Sequence, residues 1–237
     1  ELLNQAGDLL DLRVKKSDKY RASLIAASKW LKENLYEKEW EIDSPTVYAL
    51  GHTHIDVAWK WPLRQTREKA VRSFSTVLYL MKRYPEYRFF LSQPQLYEYV
   101  KEEAPEVFEQ VKERVKEGRW EADGAMWLES DSNLTSGESL IRQILYGKKF
   151  FNEEFGIKEQ EILWLPDAFG FLGALPQIMK KSGIRYFLTT KMGWNDADQQ
   201  PDDTFLWEGI DGSRVTGLYI TTKNYEAYPE RFEKPVR

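Results

Sequence analysis

The sequence predicts an α/β fold: a β/α barrel or barrel-like, mainly parallel sheet surrounded by helices. Three observations predict it. Short apolar runs of strand length alternate with longer segments whose apolar residues recur at helical spacing. Five such strands precede a hairpin signal at Asp211-Gly212. The 237 residues suffice for one large domain or two small ones, with no repeats or low-complexity segments.

The elements follow in order. Residues 1–39 read as helical, with Leu2, Leu3, Leu9, Leu10 and Leu12 as one apolar set and Leu24, Ile25, Trp30, Leu31 and Leu35 as another. Ser44-Pro45 closes this stretch, because proline restricts the residue before it and ends helices. The expected organisation is an N-terminal helical segment over 1–45 and a barrel-like domain over 46–237. Thr46–Leu50 reads as a short buried strand. Leu63–Tyr84 reads as a helix, with Val71, Phe74, Val77, Leu78 and Met81 on one face. Arg88–Leu91 is the second strand. Gln95–Glu117 is helical with a break expected at Pro105, and Gly118 suits its C-cap. Trp120–Trp127 is the third strand, and 137–155 a helix ended by Gly156. Glu161–Leu165 is the fourth strand, Leu172–Ser182 a helix and Tyr186–Thr190 the fifth strand. Phe205–Gly209 and Arg214–Ile220 flank the hairpin turn. In barrels of this kind the chemistry sits on loops at the C-terminal ends of strands, here those after Leu50, Leu91, Trp127, Leu165 and Thr190.

Composition removes several classes. With zero Cys there are no disulfides, thiolate zinc sites or thiol nucleophiles. A net charge of −4 with interspersed signs argues against nucleic acid as partner. No apolar run approaches the roughly 18 residues a membrane span needs, and the opening ELLNQAGDLLDLRVKK lacks the features of a signal peptide. A cytoplasmic protein without membrane association is the expectation.

His is scarce: the two in the chain are His52 and His54. Both lie in Gly51-His52-Thr53-His54-Ile55-Asp56, directly after the first strand. In extended chain, residues two apart project to the same side, so His52, His54 and Asp56 can converge. Imidazole nitrogen with carboxylate oxygen suits zinc or a similar divalent ion; the competing reading is a hydrogen-bonded strand end. Trp164-Leu165-Pro166-Asp167-Ala168-Phe169-Gly170 follows the fourth strand. Asp167 there could ligate a metal, attack a sugar carbon or do both; the competing reading is a helix N-cap.

Together the two motifs resemble a family. Gly-His-Thr-His-Ile-Asp-Val-Ala-Trp (51–59) and Trp-Leu-Pro-Asp-Ala-Phe-Gly (164–170) are similar to the two N-terminal signatures of the α-mannosidases of glycoside hydrolase family 38. Leu128-Glu129-Ser130-Asp131 with Ser136–Gln143, and Phe205–Val215, resemble further stretches of that family in the same order. Val-Ala-Trp after Asp56 matches the bacterial and vacuolar-type branch.

The resemblance implies a seven-stranded-type barrel and a retaining α-mannosidase with one divalent metal, zinc first and cobalt second. It implies His54, Asp56 and Asp167 as metal ligands, with Asp167 also the nucleophile. Trp59 would floor the sugar site and Phe169 wall it. Lys191 would stand near the nucleophile, Asp131 would contact substrate, and His52 would orient the site from behind. The implied partners are an α-mannoside or oligosaccharide and either the remainder of the same enzyme chain or a second copy. Asp196 and Asp198 read as a solvated turn, and Trp127, Trp164 and Trp207 as core.

Two family elements find no match: a His ligand beyond His54, and the acid/base carboxylate that a retaining glycosidase needs roughly 5–5.5 Å from its nucleophile. A portion of a longer enzyme, incomplete at its C-terminus, is therefore expected. The alternative is a non-catalytic, mannosidase-related sugar-binding or regulatory protein. An amidohydrolase would need further His ligands on later strands, which the chain lacks.

Overall fold

Helix and strand positions follow from which apolar residues can be buried together. The computed structural model describes residues 2–37, 49–194 and 202–220. Contacts group the chain into units of 1–49 and 50–237.

In the first unit, α1 (Leu2–Asp8) and α2 (Asp18–Leu31) are separate helices, and α2 runs into a π-helical turn at Lys32–Tyr36. The helical reading of 1–39 is thus interrupted by a break before Ser17. That serine caps α2, accepting the Tyr20 N–H at 3.1 Å, which satisfies a donor the helix itself cannot.

The second unit contains β1 (Gly51–His52), α3 (Leu63–Arg83), β2 (Phe89–Leu91), α4 (Pro94–Glu103), α5 (Pro105–Lys116) and β3 (Trp120–Ala122). There follow α6 (Gly137–Phe155), β4 (Ile162–Trp164), α7 (Leu175–Lys181), β5 (Tyr186–Thr189), β6 (Thr204–Glu208) and β7 (Arg214–Tyr219). A 3₁₀ turn at Lys191–Trp194 follows β5. Thr66, Ala70, Phe74, Val77 and Met81 are the buried stripe of α3. Pro105 does divide the helical run: it sits at the first turn of α5, where its missing N–H costs no intrahelical bond.

The strands form two laddered groups. β1, β2 and β3 are parallel neighbours. In the second group, ordered β4-β5-β7-β6, the pairs β4–β5 and β5–β7 are parallel, and β6–β7 is the antiparallel hairpin. At the seam the Trp164 N–H approaches the Gly124 carbonyl at 3.5 Å, and the Trp164 ring lies 4.3 Å from Phe90. This is the α/β architecture expected, a largely parallel sheet with helices about it.

Three boundaries differ from expectation. The third strand ends at Ala122 rather than Trp127, because Gly124 (φ 115°) and Ala125 (φ 61°) turn the chain out of extended conformation. A Cβ on Gly124 would fall 2.6 Å from Ser92 Cβ, so the turn requires glycine. Helix α7 starts at Leu175 rather than Leu172. The strand expected over Thr46–Leu50 lies largely outside the described residues; Ala49 and Leu50 are not strand, and pairing begins at Gly51. Asp196 and Asp198 also lie outside the described residues.

Two apolar clusters underlie the groups. One, built from α3 to α6, β2 and β3 with Ile55, is rich in rings: Phe74, Phe89, Tyr97, Phe108, Trp120 and Phe151. The other is mostly aliphatic: Leu163, Leu165, Leu175, Ile178, Met179 and Ile184, with Phe187.

Candidate active site

The site forms where both strand groups end. The chain leaves β1 after His52, and Ile55, 5% exposed, plugs into the first apolar cluster. That anchor throws its neighbours, His54 and Asp56, towards the sheet's rim. The Asp56 carbonyl accepts the hydroxyl of Thr66 on α3 at 3.2 Å, and Thr66 in turn accepts the Trp61 indole N–H at 3.0 Å. Asp167 follows β4. Its loop is tied to the chain after β5 by the Thr190 hydroxyl and N–H, both donating to the Pro166 carbonyl.

His54 Nε2 lies 3.2 Å from Asp56 Oδ1 and 3.3 Å from Asp167 Oδ2. One donor atom from each of these three residues lies within 4.8 Å of the others, a set that could hold a metal ion. The other oxygen of Asp167 is 2.5 Å from Lys191 Nζ, whose side chain is 7% exposed. Lys191 Nζ also lies 4.6 Å from the centre of the Phe169 ring.

A third carboxyl completes the surroundings. Glu129 Oε2 is 3.4 Å from His54 Nδ1, with its side chain 7% exposed. Burial opposes charging of His54, but the contact with Glu129 and the negative charges of Glu129, Asp167 and Asp56 outweigh it and lift its pKa to about 9. Burial raises the pKa of Glu129, and the His54 contact offsets part of that rise. Three carboxylates around one imidazole make a field that favours a cation.

Of the residues singled out from sequence, His54, Asp56, Asp167 and Lys191 come together. Trp59 is 64% exposed and packs edge-on against Trp61 with ring centres 5.7 Å apart; Phe169 is 68% exposed. His52 turns away from the three donors. Its Nδ1 meets the Phe90 carbonyl at 3.1 Å, and its ring lies 5.1 Å from Trp164. Burial pushes its pKa down to about 4. The reason is geometric: β1 ends at His52, so strand alternation does not extend to residues 53–56. Asp131 is exposed, and its Oδ1 accepts the N–H groups of Asn133 and Leu134 at 2.8 and 3.0 Å, capping its own loop. Trp127 and Trp207 are half-buried and pack against the first and second apolar clusters respectively.

Sequence reasoning did not single out Glu129 or Thr66. Glu129 stood inside a stretch quoted for its family resemblance, which was the available signal. Thr66 lay inside the helix expected over Leu63–Tyr84 with no signal to mark it.

Residues 44–234 match the sequence profile of the glycosyl hydrolases family 38 N-terminal domain. The chain belongs to glycosyl hydrolase family 38. Alpha-mannosidase G of Dictyostelium discoideum is 46% identical over 181 residues, covering 76% of this chain and 17% of that protein. Human alpha-mannosidase 2C1 is 48% identical over 170 residues, covering 72% of this chain and 16% of that protein. Among solved structures, an alpha-mannosidase from Enterococcus faecalis V583 superposes with a TM-score of 0.64 at 25% identity, over 72% of this chain and 19% of that one. The family 38 chain described here therefore spans less than a fifth of the length of these relatives. No described helix is long and apolar enough to cross a membrane.

Proposed function

We propose that these residues form the nucleophile-bearing part of a retaining α-mannosidase that removes terminal α-mannosyl groups. The observation that carries this reading is the meeting of His54 and Asp56, after β1, with Asp167, after β4, and Lys191, after β5. The family relatives bearing the name alpha-mannosidase supply the sugar.

The donor set of one imidazole nitrogen and two carboxylate oxygens fits a zinc or cobalt ion, held by His54, Asp56 and Asp167. When bound, such an ion supplies a Lewis-acid grip on sugar hydroxyls and electrostatic stabilisation as charge develops on the ring.

The chain's own residues do the rest. Lys191 holds one Asp167 oxygen and so restricts the rotation of the carboxylate that must attack. An Asp167 oxygen forms a bond to the anomeric carbon as the glycosidic C–O bond breaks, and the departing oxygen takes a proton from an acid. Water then attacks the same carbon, losing its proton to that group and freeing Asp167, which gives net retention. Asp56 and Glu129 are both engaged with His54, so neither is assigned as the acid. We assign it to residues beyond those described, together with any further metal ligand. The exposed rings of Trp59 and Phe169 offer apolar faces to the sugar's C–H groups.

A mannosyl fluoride tests the proposal, because fluoride leaves without an acid. Treating the chain with zinc and a 5-fluoro-α-mannosyl fluoride, which slows the second step, is expected to leave one glycosyl group on the peptide containing Asp167. An adduct on a different residue, or none in a chain shown to bind the metal, overturns the reading.

A further inference from the structure

Beside the three donors stands a buried acid to which the reaction above gives no task. Glu129 presents Oε2 to His54 Nδ1 at 3.4 Å. Its other oxygen accepts the Ser92 hydroxyl at 3.2 Å and the Gln93 side-chain amide at 3.3 Å. Ser92 and Gln93 are 2% and 3% exposed. The Gln93 amide also donates to the carbonyl of Ile55, between His54 and Asp56, at 3.3 Å. Gln93 adopts a left-handed conformation (φ 62°) immediately before α4, which is unusual for a residue with a side chain. A buried carboxyl with two donors on one oxygen and an imidazole nitrogen 3.4 Å from the other is costly to retain for packing alone.

The arrangement fixes which face of the imidazole is available. A ring nitrogen facing a carboxylate keeps its proton, so it is the opposite nitrogen that gives up a proton to a metal and presents its lone pair. Here the opposite nitrogen is Nε2, the atom facing Asp56 and Asp167.

We infer that Glu129, held by Ser92 and Gln93, is a positioning residue that fixes the Nδ1–H tautomer and ring plane of His54 and thereby sets the metal affinity of the His54–Asp56–Asp167 group. This rests on the metal reading above.

The chemistry predicts that an amide cannot replace the acid. In Glu129→Gln, turning the oxygen towards Ser92 and Gln93 puts an NH2 group against Nδ1, which then needs a lone pair there and a proton on Nε2. Turning the oxygen towards His54 sets the NH2 group against the Gln93 donor.

The test uses calorimetric titration of the full chain with Zn²⁺, alongside ¹⁵N-histidine NMR. Two histidines make the ring spectra assignable by a His54→Asn variant. The zinc-loaded wild type is expected to show a slowly exchanging Nδ1 proton on His54 and metal at Nε2. Glu129→Gln is expected to bind zinc about 10–100-fold more weakly and to lose that proton or exchange it much faster. Ser92→Ala is expected to shift both readouts in the same direction by less, and serves if Glu129→Gln fails to fold. If the wild type takes up no zinc, the metal reading falls and takes this inference with it. If His54→Asn abolishes uptake while Glu129→Gln, or Ser92→Ala in its place, keeps full affinity and the same Nδ1 proton, the inference alone is overturned.

Discussion

The two strand groups reach the same pocket by different means. On the β1–β3 side, His54 and Asp56 are fixed by buried hydrogen bonds: Thr66 to the Asp56 carbonyl, Gln93 to the Ile55 carbonyl and Glu129 beside the His54 ring. Behind them stands an interlocked aromatic core in which the Trp120 indole donates to Tyr97 Oη at 2.8 Å, and Tyr97 donates to the Leu91 carbonyl at 2.8 Å. On the β4–β7 side, Asp167 follows a strand rooted in the aliphatic core, and its carboxylate lies between two cationic groups, Lys191 Nζ at 2.5 Å and His54 Nε2 at 3.3 Å. His54 is thus set by a polar network, while Asp167 is set by charge.

The sharpest way to break that contrast is Trp120→Ala. Trp120 is 1% exposed and touches Phe74, Phe89 and Tyr97, so truncation leaves a large cavity in the aromatic half and removes the indole donor to Tyr97 Oη. The expected loss is about 3–5 kcal/mol in urea unfolding. A loss under about 1 kcal/mol would show that the aromatic lattice is not what steadies the first half. Lys191→Met tests the other side. Removing a nearly buried partner of a carboxylate is expected to cost about 1.5–3 kcal/mol in the metal-free chain. The cost should shrink when zinc is added, since a metal cation then faces Asp167. Thermal melts with zinc and with chelator read both numbers; equal losses in the two would remove the idea that charge holds the Asp167 carboxylate.

How much of this was legible in the sequence follows the same division. β2 (Phe89–Leu91) and β4 (Ile162–Trp164) were readable because parallel strands covered on both faces are continuous apolar runs. Asp167 was readable because it stands just past β4, and Lys191 because the family resemblance marks the position just past the fifth strand. β1 was displaced from the expected TVYAL run, since its pairing begins only at Gly51. Glu129 was hidden as a site residue because no strand leads to it: β3 stops at Ala122 and a turning loop carries it back under His54, which lies far away in sequence. Asp131, two residues on, was singled out; in the structure its carboxylate accepts backbone N–H groups of its own loop, as short acidic side chains in turns commonly do.

Asp123 lies where the two halves meet, and it sharpens the comparison through pH. Burial raises its pKa from 3.8 to about 6, against the opposing hydrogen bond from the Gly124 N–H. A raised carboxyl binds its proton more tightly in the folded state. Its stabilising share is therefore full below about pH 3.8 and is lost as pH rises through about 6. Asp123→Asn keeps an oxygen for Gly124 but cannot ionise. It is expected to be more stable than wild type at pH 7 by on the order of 1–2 kcal/mol, allowing for partial exposure, with the gap closing towards pH 4. A gap independent of pH would show that the seam tolerates the charge.

The smallest effect is expected at the outer edge of the second half. Glu208 and Arg214 are directly opposed across the β6–β7 hairpin, with Arg214 Nε 2.5 Å from Glu208 Oε2, and their side chains are 52% and 62% exposed. The geometry is close, but water competes for both groups, and each long side chain loses rotamer freedom when held. Exposed pairs of this kind contribute about 0.2–1 kcal/mol. Glu208→Gln should therefore lower stability by no more than about 1 kcal/mol, and the difference should vanish in about 1 M salt, where the screening length falls to about 3 Å. A salt-resistant loss above about 2 kcal/mol would mean that the hairpin edge is desolvated in solution. The second half would then be held by charge at its rim as well as at Asp167.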